Sequence, residues 1–200
     1  MNSHDDLYTT IATSSEGIYR DKGSKFLAYA WHIDNESEVK KHIEFLKKAH
    51  PSARHFCFAF RINPENEYWR ANDDGEPSGS AGKPILGQIK SFNLQETLVV
   101  VVRYFGGSLL GVPGLIHAYK QATIEALEHA KKETRIISRM YKLSAEYSQL
   151  GDLMKFLKDN HIEYDSPLMG SIVQIDVRIP KSKSGFFETI FVEKNWLIPG

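Results

Sequence analysis

Apolar and polar positions first organise themselves at residues 17–33, GIYRDKGSKFLAYAWHI, where two runs of aromatic and β-forming residues flank Asp21, Lys22 and Gly23. Such runs about a short polar and glycine break predict a hairpin. The period then lengthens. Val39, Ile43 and Leu46 recur at helical spacing, Asn35 and Glu38 have the offset of a reciprocal cap, and Pro51 closes the segment, so a helix is expected there. Alternation returns in RHFCFAFRI, 54–62, as a strand. Residues 63–82 are rich in Asp, Glu, Gly, Pro and Ser and predict a long loop, with a short strand at 67–70. TLVVVVRYF, 97–105, is the most apolar run, and its lack of a polar face predicts a central strand covered on both sides. The glycine-rich GGSLLGVPG then opens a helix over about 115–132.

Past Lys132 the pattern restarts. A strand over 133–147, a helix over 149–160 carrying Leu150, Leu153, Met154 and Leu157, a strand over 171–179 and a short helix over 184–192 give a βαββα-like order. That order predicts a second unit with helices on one sheet face, dividing the chain into 1–134 and 135–200. The first and last few residues read as loose.

Composition narrows the function classes. With 200 residues and 42% apolar side chains the chain can build one large or two small cores, which excludes a disordered tail-like protein. Lys plus Arg number 25 and Asp plus Glu 25, so the overall field steers toward neither nucleic acid nor membrane, and such a partner must be met by a local patch. A single cysteine, Cys57, excludes an internal disulfide framework and a thiolate metal cage. The start MNSHDDLYTT has no secretory pattern and no segment approaches the roughly 20 apolar residues of a membrane helix, so the cytoplasm is the expected location.

Candidate chemistry concentrates in three places. NDDGEPSGSAGKPI, 72–85, sets Asp73, Asp74 and Glu76 beside Ser78, Ser80 and Lys83. Oxygen ligands so clustered could hold magnesium or calcium, but the spacing fails the EF-hand pattern, and Asp-Gly and Glu-Pro are turn dipeptides before a helix that Ser78 or Ser80 could cap. RYFGGSLLGVPG, 103–114, places Arg103, Gly106 and Gly107 between a buried strand and a helix N-terminus, a position suited to an anion. It is not a P-loop, because Val112 and Pro113 stand where Lys and Ser/Thr would meet phosphate and magnesium, and tight strand-to-helix packing explains the glycines equally well. AHPSARH, 49–55, brings Arg54 and His55 to a strand start, where Arg54 could clasp the acidic loop. No G-x-S-x-G or H-E-x-x-H signature accompanies them, and no cofactor is called for. KKETRIISRMYK, 131–142, reads as a charged edge strand with thin capacity for phosphate contact.

Together ARHFCFAF at 53–60, DDGEPSGSAGKPIL at 73–86 and VVVVRYFGGSLLGVPGLIHAY at 99–119 resemble the YigZ/IMPACT family in order and spacing, most closely its bacterial two-domain members. The resemblance implies an α+β protein, with an N-terminal β-α-β domain of the ribosomal-protein and elongation-factor type followed by a ferredoxin-like domain. It also implies translation control, since the related eukaryotic protein restrains a starvation-responsive initiation-factor kinase by competing for its activator. Relative to the family pattern Leu109 replaces a lysine, Pro113 a glycine and His117 an arginine, so cations beside the glycine-rich loop are missing or titratable. The expected function is a translation-linked regulatory or ribosome- or RNA-associated binding protein, with weak nucleic-acid binding and no membrane partner. Its surface would comprise Arg54, His55, Asp73, Asp74, Glu76, Ser78, Lys83, Arg103, Gly106, Gly107 and His117. The rival reading is a hydrolase or transferase using Asp73, Asp74 and Glu76 with His55.

Overall fold

The structure, a computed structural model, describes residues 6–198, so the looseness expected of the extreme ends concerns positions outside that range. Two compact units divide the described residues, one formed by Tyr8–Arg135 and the other by residues 136–198 together with Asp6 and Leu7.

The larger unit begins at Tyr8, within β1 (Leu7–Ile11), a strand in a stretch that the hydrophobic pattern left without an element, and β1 pairs with β7 (Lys132–Ile136). Its main sheet has the order β2-β3-β6-β4-β5, from β2 (Ser15–Asp21), β3 (Ser24–His32), β4 (His55–Ile62), β5 (Tyr68–Asn72) and β6 (Thr97–Tyr104). The expected hairpin is β2 with β3, turned by Lys22 and Gly23 at φ 43° and 79°, the left-handed pair that matches strand twist. β6 lies centrally between β3 and β4, and successive side chains point to opposite faces. Val99 and Val101 therefore join Phe26, Cys57 and Ala59 beneath α2 (Gly82–Ser91) and α3 (Gly111–His129), while Leu98, Val100 and Val102 join Phe56 and Phe60 beneath α1 (Ser37–Ala49). The valine run is apolar throughout because each face has its own cover.

Helix α3 buries Leu115, Ala118, Tyr119, Ala122, Ala126 and Leu127 at the spacing of one helical stripe. Its alanines let β2 approach so closely that a Cβ on Gly17 would stand 2.3 Å from the Ala126 nitrogen. α1 starts as expected. Glu38 Oε1 accepts from the Asp34 and Asn35 backbone N–H groups while Asn35 Oδ1 accepts from that of Ser37.

The smaller unit follows the βαββα order. β8 (Ser138–Glu146), α4 (Leu150–Asp159), β9 (Glu163–Tyr164), β10 (Ile172–Pro180) and α5 (Lys181–Glu193) build a three-stranded sheet of order β8-β10-β9. The single strand expected over 133–147 is two, β7 and β8, split at Ile137. Leu143, Ala145, Val173, Ile175, Val177 and Ile179 face Leu153, Leu157, Phe187 and Phe191 of the helices. The outer edge of β8 is not bare, since Ser144 N–H donates to Trp196 O and Ile198 N–H to Lys142 O. No helix among the described residues is long and apolar enough to cross a membrane.

Candidate functional site

His55 opens β4 and lies opposite Arg103 near the end of β6. Alternation puts both side chains on the α2–α3 side, one step beyond the Cys57 and Val101 pair. With Ser52, Arg54, Tyr104 and Phe105 they line a cleft of about 290 Å³ at that end of the sheet.

Beneath the cleft lies a buried polar network. Arg103 Nη1 donates to Glu76 Oε1 at 2.7 Å, and the Tyr119 hydroxyl of α3 donates to the same oxygen at 2.7 Å. The two charged side chains are 7% and 3% exposed, so each needs the other to offset its desolvation. The guanidinium also lies 5.4 Å from the Phe26 ring centroid and 5.7 Å from that of Phe105, and its Nε is buried without a hydrogen-bond partner. The Cys57 thiol stands 3.2 Å from the Tyr119 hydroxyl and 3.0 Å from Asp73 O. Burial first, then the nearby carboxylates, push that thiol well above its ordinary pKa, so it stays protonated and inert. Burial raises Tyr119 in the same way, with the Cys57 thiol and the Glu76 charge adding to it.

All three loop carboxylates are engaged by protein donors. Asp73 Oδ1 accepts from the N–H groups of Ala81 and Gly82 at 3.0 and 2.8 Å, and Oδ2 from that of Gly79 at 2.8 Å. Partial burial works against its charge, yet these three donors and Lys83 hold its carboxyl below the usual range. Asp73, and neither Ser78 nor Ser80, is therefore the cap of α2, and the Ser80 hydroxyl instead donates to Pro77 O. Asp74 Oδ2 accepts from Phe56 N–H at 2.7 Å, and Asp74 O lies 2.9 Å from His55 Nδ1. A carbonyl can only accept, so Nδ1 carries the proton and Nε2 is the free ring nitrogen.

The sequence-derived residues thus separate into groups. Arg54, His55 and Arg103 share the cleft, and Asp73, Asp74 and Glu76 fasten the loop to the same end of the sheet. The clasp expected of Arg54 is made by Arg103, while Arg54 is exposed and has no ion pair or hydrogen bond among the described residues. Ser78, Lys83, Gly106, Gly107 and His117 do not line the cleft. Gly106 is needed for packing. A Cβ there would meet Gly23 C at 1.9 Å, and Gly106 N–H donates to Ser24 Oγ. His117 lies edge-on to Tyr19 with centroids 5.6 Å apart. Sequence reasoning missed Tyr119 and Phe105, whose roles depend on residues distant along the chain. It also missed His32, Asp34 and Glu96, whose ligand atoms converge, although Arg135 Nη1 lies 2.7 Å from His32 Nε2 and 3.8 Å from Glu96 Oε2 and so supplies a cation there.

The architecture is that of a two-unit α+β protein with a braced cationic cleft in its larger unit. The Impact N-terminal domain family matches residues 22–127. IMPACT family member YvyE of Bacillus subtilis (strain 168) is 32% identical over 186 residues, 93% of this chain and 86% of the relative. IMPACT family member YigZ of Escherichia coli (strain K12) is 33% identical over 83% of this chain and 82% of its own length. This chain belongs to the IMPACT family. A solved structure described only as that of a hypothetical protein covers 98% of both chains with a TM-score of 0.75 at 28% identity. That of the two-domain translational regulator Yih1 covers 60% of this chain with a TM-score of 0.41 at 26% identity.

Proposed function

We propose that this chain is a cytoplasmic regulatory protein linked to translation, which works by docking to a protein or ribosomal partner rather than by turning over a substrate. Family membership supports the link to translation. The docking reading rests on one observation, the apolar surface carried by the glycine-rich loop and the start of α3. Phe105, Leu109, Val112 and Ile116 are 57%, 84%, 45% and 39% exposed, and Phe105 also lines the polar cleft. An apolar centre with a polar rim is the anatomy of a protein interface. The rival hydrolase reading needs an unengaged carboxylate near His55, whereas Asp73, Asp74 and Glu76 each accept from protein donors.

Co-sedimentation with purified ribosomes, alongside a pull-down followed by reconstitution with the captured protein, tests this reading. The wild type is expected to bind one of the two, and Leu109→Glu with Ile116→Glu to weaken that binding at least about tenfold while the melting temperature holds. Binding of equal strength by the double variant would overturn the apolar patch as the interface.

A further inference from the structure

The apolar patch shares only Phe105 with the cleft, whose other lining residues all carry hydrogen-bonding groups. Of its six lining residues, Arg54 and Arg103 are cationic, His55 offers a free Nε2 and Ser52 a hydroxyl, with Tyr104 and Phe105 at the aromatic side. Arg103 cannot wander. Glu76 holds Nη1 from below and the Phe26 and Phe105 rings flank the guanidinium, so its remaining donors are fixed before any ligand arrives. Its Nε has no acceptor, and a buried donor left orphaned in a native fold calls for an explanation such as an ion or ligand group in the site. Arg54 is a second cation with no ion pair or hydrogen bond among the described residues, and no carboxylate lines the cleft, Glu76 being bound to Arg103 and Asp74 to a backbone N–H.

We infer that this cleft is a binding site for a phosphate monoester borne by a nucleoside, either a free nucleoside 5′-monophosphate or the 5′-phosphate end of an RNA strand. Arg54 and the braced Arg103 supply the charge, the Ser52 hydroxyl donates to the phosphate, His55 Nε2 accepts from a ribose hydroxyl, and the half-exposed Phe105 ring offers its outer face to the base. A phosphate fits better than a peptide carboxylate, because two guanidiniums and a hydroxyl together offer more donors than the roughly four lone-pair sites of a carboxylate can accept. An aromatic ring at the rim adds the sequence-tolerant stacking by which bases are held. The cleft volume of about 290 Å³ lies at the small end of ligand sites, which suits one nucleotide.

Calorimetric titration of the full chain tests the inference with adenosine 5′-monophosphate, adenosine, inorganic phosphate, a short oligoadenylate with a 5′-phosphate or a 5′-hydroxyl, and an N-acetylated tetraglutamate peptide. Adenosine 5′-monophosphate should bind at least about tenfold more tightly than adenosine, and Arg54→Ala should remove about tenfold of that affinity. Phe105→Ala removes both the stacking face and one of the two rings beside Arg103, so it should weaken adenosine 5′-monophosphate by about tenfold and inorganic phosphate by distinctly less. Arg54 has no structural partner, so its variant should melt with the wild type, and Leu109→Glu, which alters the neighbouring apolar patch, should not change nucleotide affinity. Tighter binding of the 5′-phosphorylated oligonucleotide than of the mononucleotide assigns the site to an RNA end, and equal binding assigns it to a free nucleotide. Absence of nucleotide and phosphate binding, an unchanged affinity in Arg54→Ala, or preference for the acidic peptide overturns it.

Discussion

Arg103 and Glu76 are 27 positions apart, and neither position alone announces an ion pair. Both charges have left water, so removing one partner strands the other in a buried site, at a cost of about 3–5 kcal/mol, whereas replacing both with apolar residues of similar volume is far milder. Glu76→Leu and Arg103→Leu are each expected to fall by that amount in urea unfolding, and the double variant to recover most of it. Additive losses would mean that the two residues act independently. Tyr119, 43 positions from Glu76, supplies the second bond to the same oxygen, and Cys57 leans on the Tyr119 hydroxyl. Charge and glycine content marked Arg103 and Glu76 as unusual in the sequence. What they touch was not legible, because pairing over such separations is set by strand register, and Arg54 was the nearer cation to guess.

Elements whose signals are local were readable. The Lys22 and Gly23 turn, the Asn35 and Glu38 cap and the doubly covered valine strand all follow from a few adjacent residues. The start of α2 misled because Ser78 and Ser80 have the right chemistry nearby, while Asp73 reaches the same N–H groups across the loop, eight and nine residues away. Asp73→Asn keeps one acceptor and loses the charge, so at pH 7 it should cost about 1 kcal/mol, read from the urea midpoint. The pH dependence has a definite sign. The folded-state pKa of Asp73 is depressed, so its contribution is complete above the unfolded value of about 4 and is lost as pH falls through the folded value. The gap between wild type and variant should therefore narrow toward pH 2.5, and a gap that widens on acidification would refute this account of the cap.

At the scale of the whole molecule, the division differs from the expected 1–134 and 135–200 at the chain's beginning. Asp6 groups with the smaller unit, where it is 4% exposed, accepts from Ser182 N–H at 2.9 Å and, through its carbonyl, from Ile137 N–H at 2.6 Å. A strand pattern as short as that around Leu7 gives no hint of this, and the carboxylate serves as the cap that α5 lacks from its own flanking residues. Asp6→Ala is expected to lower the melting transition of the smaller unit and spare that of the larger, as followed by hydrogen exchange on α5 and α3. Equal loss of protection in both helices would show that the two units melt as one. The arrangement also orders events during synthesis. Every residue of Tyr8–Arg135 has been translated before β8 exists, whereas the bond between Asp6 and Ser182 spans 176 positions and must wait until α5 has begun. A nascent chain paused after Arg135 holds all the residues of the larger unit, so the smaller unit closes later, on an Asp6 made before any of its own strands.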